Sequence, residues 1–382
     1  MGLFSIFKGK MLTFAEVRDL IVSKNFQQLN KISIQSFSNR HRSGETPAYF
    51  AVENGYKEAL KIITERAPNV LRIQSASGAT PAFIASEKGD KECLQIISEK
   101  APDTLTIPTA RGVTPGATPA YVAAEKGNLE CLEFLFEKVP ESLTTPEKMG
   151  ETPAFVASKR GQLECLKFLF EKVPESLKTP NNKGETPMYV ASEKGELDCL
   201  KFLFEKVPDT LITPNNEGAI PIYIAAGKGQ KEALEYLYSK DPDSLLKANN
   251  NGATPAFIAA EKGRLECLKF IAEKAPETIK ISNNTGATPA FIAAEKGNFE
   301  CLEFIVSIEP DLIKVQDETG ATPAFIAAEK GRLECLNFII AKAPETIPIE
   351  NNKKANPLTA ASINKNKECV EVLREILGEN EE

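Results

Sequence analysis

The residues of this chain most able to do chemistry are its eight cysteines, Cys93, Cys131, Cys165, Cys199, Cys267, Cys301, Cys335 and Cys369. A thiolate can attack, ligate a metal or form a disulfide, and each use needs a close neighbour: a base, a second ligand or another thiol. The intervals between successive cysteines are 38, 34, 34, 68, 34, 34 and 34 residues. Such a long fixed interval gives each copy of a repeated unit one thiol, beside the apolar positions of Glu-Cys-Leu. Buried, reduced, space-filling thiols are therefore expected. The only histidine is His41, between Arg40 and Arg42, so no His-based triad or His metal cluster can be assembled. There is no Gly-rich phosphate loop, no Gly-x-Gly-x-x-Gly after a strand and no Cys-x-x-Cys. Paired charges recur at Glu87-Lys88, Glu125-Lys126, Glu193-Lys194, Glu261-Lys262, Glu295-Lys296 and Glu329-Lys330. They recur with the unit instead of converging, which reads as a solvated stripe and not an acid/base array. The chain is expected to be no enzyme, with no catalytic, cofactor-binding or metal-binding residue assigned and no cofactor.

The unit that positions these residues is explicit. The block from Gly252 to Leu268, Gly-Ala-Thr-Pro-Ala-Phe-Ile-Ala-Ala-Glu-Lys-Gly-Arg-Leu-Glu-Cys-Leu, returns letter for letter from Gly320 to Leu336. Similar blocks begin at Gly44, Gly78, Gly116, Gly150, Gly184, Gly218 and Gly286, spaced by 34 residues except for 38 between Gly78 and Gly116. A degenerate copy runs from Lys354 through Pro357 to Val370, which makes ten units. In Thr254-Pro255 the threonine is a good N-cap and proline suits the first helical position, where its missing N–H is no loss. A short first helix over Ala256 to Lys262 should stop at Gly263. Leu265, Leu268, Ile271 and Ala272 recur at helical spacing in a second helix that Pro276 ends. The stretch carrying Pro276, Asn283, Asn284 and Gly286 reads as an extended loop with a tight turn.

The period alone does not separate tetratricopeptide from ankyrin repeats. About a third of each unit is Pro/Asn/Gly-punctuated loop, and the first helix opens on Thr-Pro. From about residue 44 to 372 the motif resembles the ankyrin Thr-Pro-Leu-His-x-Ala-Ala, with Thr-Pro-Ala-Phe-Ile-Ala-Ala at Thr254 to Ala260 and an Asn-Asn-x-Gly turn before it. The resemblance implies an all-α repeat solenoid, an ankyrin-like stack of helix-turn-helix-loop units of about 34 residues. Where the family has Leu-His, this chain has Ala-Phe or Ala-Tyr, as at Ala82-Phe83 and Ala120-Tyr121. Aromatic packing is thus expected to replace the family's histidine hydrogen bonding. The aromatic row Tyr49, Phe83, Tyr121, Phe155, Tyr189, Tyr223, Phe257, Phe291 and Phe325 is read as core.

The organisation follows: a flexible tail over 1–10, N-terminal capping helices over 11–43, nine repeats over 44–353, a degenerate C-terminal capping repeat over 354–377 and an acidic tail over 378–382. The N-terminal cap rests on Phe14, Val17, Leu20, Ile21, Phe26 and Leu29 at helical spacing. Two units are irregular. Gly112 to Pro115 nearly duplicates Gly116 to Pro119, and in the unit at Gly218 the cap threonine is Ile220 and the cysteine is Ala233, which suggests a soft spot or a bend.

A net charge of −7 without a basic stripe argues against nucleic acid as a partner. No apolar run reaches a membrane-spanning length, and the first ten residues are too short in apolar character for a signal peptide. A cytoplasmic, monomeric protein is expected. The resemblance implies a non-catalytic scaffold that binds a protein partner on its concave/turn face. Turn tips that vary on a fixed frame are the candidate contacts: Arg111, Lys148, Met149, Lys183, Glu217, Thr285 and Thr319. Two alternatives stay open. Highly repetitive Lys/Asn/Ile-rich chains of this kind resemble microbial effectors, which would place the protein in a host cell's cytoplasm bound to a host protein. The apolar-basic segment Met1 to Lys10 would instead suit a peripheral membrane adaptor, although Ile6 stands where myristoylation wants Ser or Thr.

Overall fold

The computed structural model describes residues 9–110, 112 and 114–378, and every regular element among them is helical. The chain forms an all-α repeat solenoid. It divides into two compact bodies, residues 1–187 with 201–207 and residues 188–200 with 208–382.

In the first body the short helices Pro47–Glu53, Pro81–Lys88, Pro119–Lys126 and Pro153–Lys159 each pack on the next. Their partners Lys57–Arg66, Lys91–Lys100, Leu129–Lys138 and Leu163–Lys172 do the same. The second body repeats this with Pro221–Lys228, Pro255–Glu261, Pro289–Lys296, Pro323–Glu329 and Pro357–Ile363. Their companions are Lys231–Lys240, Leu265–Lys274, Phe299–Ile308, Leu333–Lys342 and Lys367–Leu377. The pair Pro187–Lys194 and Leu197–Lys206 is divided between the bodies.

Local chemistry explains each element. In the unit at Gly252 the Phe257 N–H donates to Thr254 Oγ1 at 3.3 Å, satisfying an orphan donor of the first turn, and Pro255 occupies the first helical position. The alanines Ala256, Ala259 and Ala260 are fully buried, and their small size lets neighbouring first helices approach closely. The second helix buries Cys267, Leu268 and Ile271 on one face, as its spacing predicts. The aromatic row is core: all its members are buried except Phe83, which is half-buried.

The segment read as an extended loop is more structured than the sequence suggests. It opens with a 3-10 helix, Pro276–Lys280 in this unit, before the turn begins. Pro276 fixes the first dihedral, Thr278 Oγ1 donates to the Ala275 carbonyl at 2.7 Å, and Ile279 is buried beneath. Proline stops an α-helix but starts a tighter one equally well, so its presence alone does not distinguish a loop from this turn.

The chain's ends follow the same rules. Thr13 and Glu16 form a reciprocal capping box on Phe14–Val22, and Arg66 donates to the Leu29 and Ile32 carbonyls at 2.8 and 2.7 Å. At the first turn His41 Nδ1 lies 2.6 Å from Ser43 Oγ, and its ring packs 5.4 Å from Phe14. Near the other end Asn356 takes over the cap from threonine, accepting from the Thr359 N–H at 2.9 Å. The unit at Gly218 keeps its first helix, Pro221–Lys228, without a side-chain cap. The Tyr223 N–H donates instead to the Ile220 carbonyl at 3.0 Å, and the Ile220 side chain is buried.

Candidate partner-binding surface

The turns are built from one bonding pattern. Asn283 Oδ1 accepts from the N–H groups of Thr285 and Ala287, both at 3.0 Å, and the Gly286 N–H donates to the Asn283 carbonyl. Asn181, Asn215, Asn249, Asp317 and Asn351 do the same in their own units, which is why Asn or Asp opens the turn. Consecutive turns are laced through their main chains. The Asn284 N–H donates to the Asn251 carbonyl at 2.9 Å, and the Glu318 N–H to the Thr285 carbonyl at 2.9 Å. A Cβ on Gly252, whose φ is +75°, would come within 2.7 Å of the Asn284 nitrogen, so both the left-handed backbone and the close approach require glycine.

This pattern places the candidate tip residues. Lys148, Met149, Lys183, Glu217, Thr285 and Thr319 are all exposed. Met149, Glu217, Thr285 and Thr319 offer their main-chain carbonyls to the next turn. The Thr285 and Thr319 hydroxyls fold back to donate to Asn283 and Asp317, whereas Lys148, Met149, Lys183 and Glu217 are exposed, the first two on the lining of a pocket. In the first body Lys148 and Met149 share an edge with Lys183, joined by the bond from the Asn182 N–H to the Met149 carbonyl at 3.0 Å. In the second, Thr285 and Thr319 are joined in the same way through Glu318. Arg111 lies outside the described residues, as do most of the N-terminal segment and residues 379–382.

Side-chain hydrogen bonding between units turns out not to be lost with the histidine. Asn128 Nδ2 donates to the Ser86 and Glu87 carbonyls at 2.8 and 2.9 Å, capping the C-terminus of the preceding unit's first helix. Asn298 and Asn366 make the equivalent bonds, while Gln162, Gln230, Arg264 and Arg332 reach one carbonyl each. In these units the residue just before the second helix thus supplies the link that aromatic packing alone was expected to provide. Its only sequence signal is an Asn, Gln or Arg at this position in seven of the units.

The thiols are buried, unpaired with one another and poor nucleophiles. Burial pushes Cys131, Cys165 and Cys199 up to about 12, and Cys267, Cys301 and Cys335 up to about 11. The Glu-Lys pairs form a surface stripe, with Lys262–Glu261 at 2.9 Å and, between units, Lys228–Glu193 at 3.1 Å.

One place breaks this regularity, and the sequence reading passed over it. The unit at Gly150 carries Lys159-Arg160 where most others have Glu-Lys, and it has Glu151 where the units at Gly218 to Gly320 have alanine. Its turn opens on Glu147 instead of asparagine. Glu151 takes a hydrogen bond from the Tyr121 hydroxyl at 2.9 Å and pairs with Lys159 Nζ at 2.7 Å. Burial, then the charge of Glu151, pushes the Tyr121 hydroxyl far above its ordinary range. Arg160 reaches back to Glu125 at 2.7 Å. Glu147, only 6% exposed, accepts from the N–H groups of Met149 and Glu151 at 2.6 and 3.1 Å. These groups surround a pocket of about 460 Å³. The missing Glu-Lys pair at 159–160 was the available clue.

A frame of repeated main-chain bonds carrying variable exposed side chains defines a repeat protein. The family model described as ankyrin repeats (3 copies) matches residues 106–179, 121–216, 173–248, 222–314 and 291–380, well over half of the chain. The chain belongs to the ankyrin-repeat family, whose repeats are protein–protein interaction modules. Among curated proteins none matches it. No helix among the described residues is long and apolar enough to cross a membrane.

Proposed function

We propose that this chain is a non-catalytic scaffold that holds a protein partner on its turn face, with the helices over 11–43 and 354–377 closing its two ends. The observation that supports the reading is a division of labour within single residues. Met149 and Glu217 give their main-chain carbonyls to the next turn while their side chains stay exposed, so identity at these positions is free of the fold. Surfaces of this kind acquire specificity without loss of stability. The raised thiol pKa values and the contacts of His41 with Ser43 and Phe14 support the non-catalytic reading.

The test is affinity purification with the full chain as bait, beside a variant carrying Lys148→Ser, Met149→Ser, Lys183→Ser and Glu217→Ser. The expected result is a reproducible protein partner retained by the native chain and lost by the variant, with both chains melting at the same temperature. Equal capture by both, or capture by neither, rejects the turn-face reading.

A further inference from the structure

The pocket beside Arg160 differs from the corresponding place in the other units in several residues at once. Substitutions drifting independently across duplicated copies would scatter over the surface. Here Glu147, Lys148, Met149, Lys159 and Arg160 line one volume together with Glu151, a glutamate that the units at Gly44 and Gly184 share as Glu45 and Glu185.

The charges in that volume are sorted by depth. Side-chain exposure is 14% for Glu151 and 18% for Glu125, against 28% for Lys159 and 54% for Arg160. With Glu147 also recessed and Lys148 exposed, the anions form the floor and the cations stand at the opening. The floor is already satisfied. Glu147 holds two main-chain N–H groups, Glu151 holds the Tyr121 hydroxyl and Lys159, and Glu125 holds Arg160. An incoming cation would have to displace these donors and would meet Arg160 and Lys148 first. An incoming carboxylate meets opposite conditions. Arg160 bonds Glu125 through Nε and Nη2, both on a single carboxylate oxygen, so its guanidinium fork retains Nη1. Lys148 makes no ion pair among the described residues. Met149, 52% exposed, supplies apolar surface to the same pocket.

We propose that this pocket binds an acidic segment of a partner protein in extended form, its carboxylates on Arg160 and Lys148 and one apolar side chain on Met149. This deepens the turn-face reading and rests on it. Binding of this kind weakens as salt screens the two cations.

The test uses the full chain and two short fluorescein-labelled peptides of equal length, one of glutamate and leucine and one of lysine and leucine, read by fluorescence anisotropy. The acidic peptide is expected to bind and the basic one not to. Lys148→Gln combined with Arg160→Gln should weaken the acidic peptide by about tenfold or more, the scale of a lost charge-assisted hydrogen bond. Lys201→Gln, exposed on the second helix Leu197–Lys206 and outside both the turn tips and the pocket, should leave it unchanged, and circular dichroism melting should show all variants folded. Stronger binding of the basic peptide, or acidic-peptide binding indifferent to the double substitution, overturns the proposal. If the peptides fail while a protein partner still depends on the turn tips, the scaffold reading survives and only the acidic specificity falls.

Discussion

The units at Gly218 and Gly252 are neighbours with the same architecture and different chemistry. The second has the threonine cap, the buried cysteine and an asparagine latch: Thr254 accepts from the Phe257 N–H, Cys267 is buried, and Asn298 donates twice, at 2.8 Å each, to the carbonyls of Ala260 and Glu261. The first lacks all three. Ile220 offers only its carbonyl, Ala233 replaces the thiol, and Arg264 reaches a single carbonyl, that of Gly227, at 3.3 Å. Both nonetheless form helices beginning at the proline and ending in the same turn of chain. Packing against two neighbours holds an element whose own cap is weak, and the burial of Ile220 compensates for its missing hydroxyl. The expected soft spot or bend is therefore not visible as a shortened helix.

The sharpest way to break this comparison is through the core. Leu234 and Leu268 occupy equivalent sites and are both fully buried. Leu234→Ala and Leu268→Ala should each cost roughly 2–5 kcal/mol in urea denaturation. A clearly smaller loss at Leu234 would show that the weaker unit relaxes around a cavity where its neighbour cannot.

A second distinction is pH. Burial raises the Cys267 thiol to about 11, above the roughly 8.5 of an unfolded chain. Above that lower value the unfolded state binds fewer protons than the folded one, so the contribution is intact below about 8.5 and is lost as pH rises toward 11. By pH 11 the loss is about 3 kcal/mol at most. Cys267→Ala should make the decline of stability between pH 8.5 and 11 shallower than in the native chain, whereas the Gly218 unit, with Ala233 there already, contributes no thiol slope and adds to the decline only above about pH 10, where the buried Tyr223 hydroxyl stays protonated while an unfolded tyrosine titrates. An unchanged slope would show that Cys267 is not desolvated in the folded state.

The latch predicts the smallest difference. Asn298→Ala leaves two helix-end carbonyls without their side-chain donor and should cost about 1–2 kcal/mol, with faster amide exchange in the helix Pro255–Glu261. Arg264→Ala, which removes one longer bond from a half-exposed site, should cost less by the same measurements.

Much of the fold was legible because its determinants are local. Thr-Pro, the apolar spacing of Leu265, Leu268 and Ile271, and the Asn-Asn-x-Gly turn each specify conformation within a few residues, and repetition made each signal visible several times. The tip residues were legible as variable positions for the same reason. The 3-10 turn after each second helix was not, because proline ends one helix and starts another with the same letter.

By itself, then, the sequence determined the period, the two helices of each unit, their caps and the burial of the thiols, all consequences of chemistry within one unit's length. Only the tertiary structure decided which groups meet across units. The Asn128 latch has main-chain carbonyls as acceptors, 42 and 41 residues away, and a carbonyl leaves no mark in a sequence because every residue carries one. Tyr121, Glu151, Lys159 and Arg160 are ordinary letters until stacking brings a hydroxyl within 2.9 Å of a carboxylate 30 residues on. That meeting depends on the register of one unit against the next, which is set by the packed first helices and the laced turns.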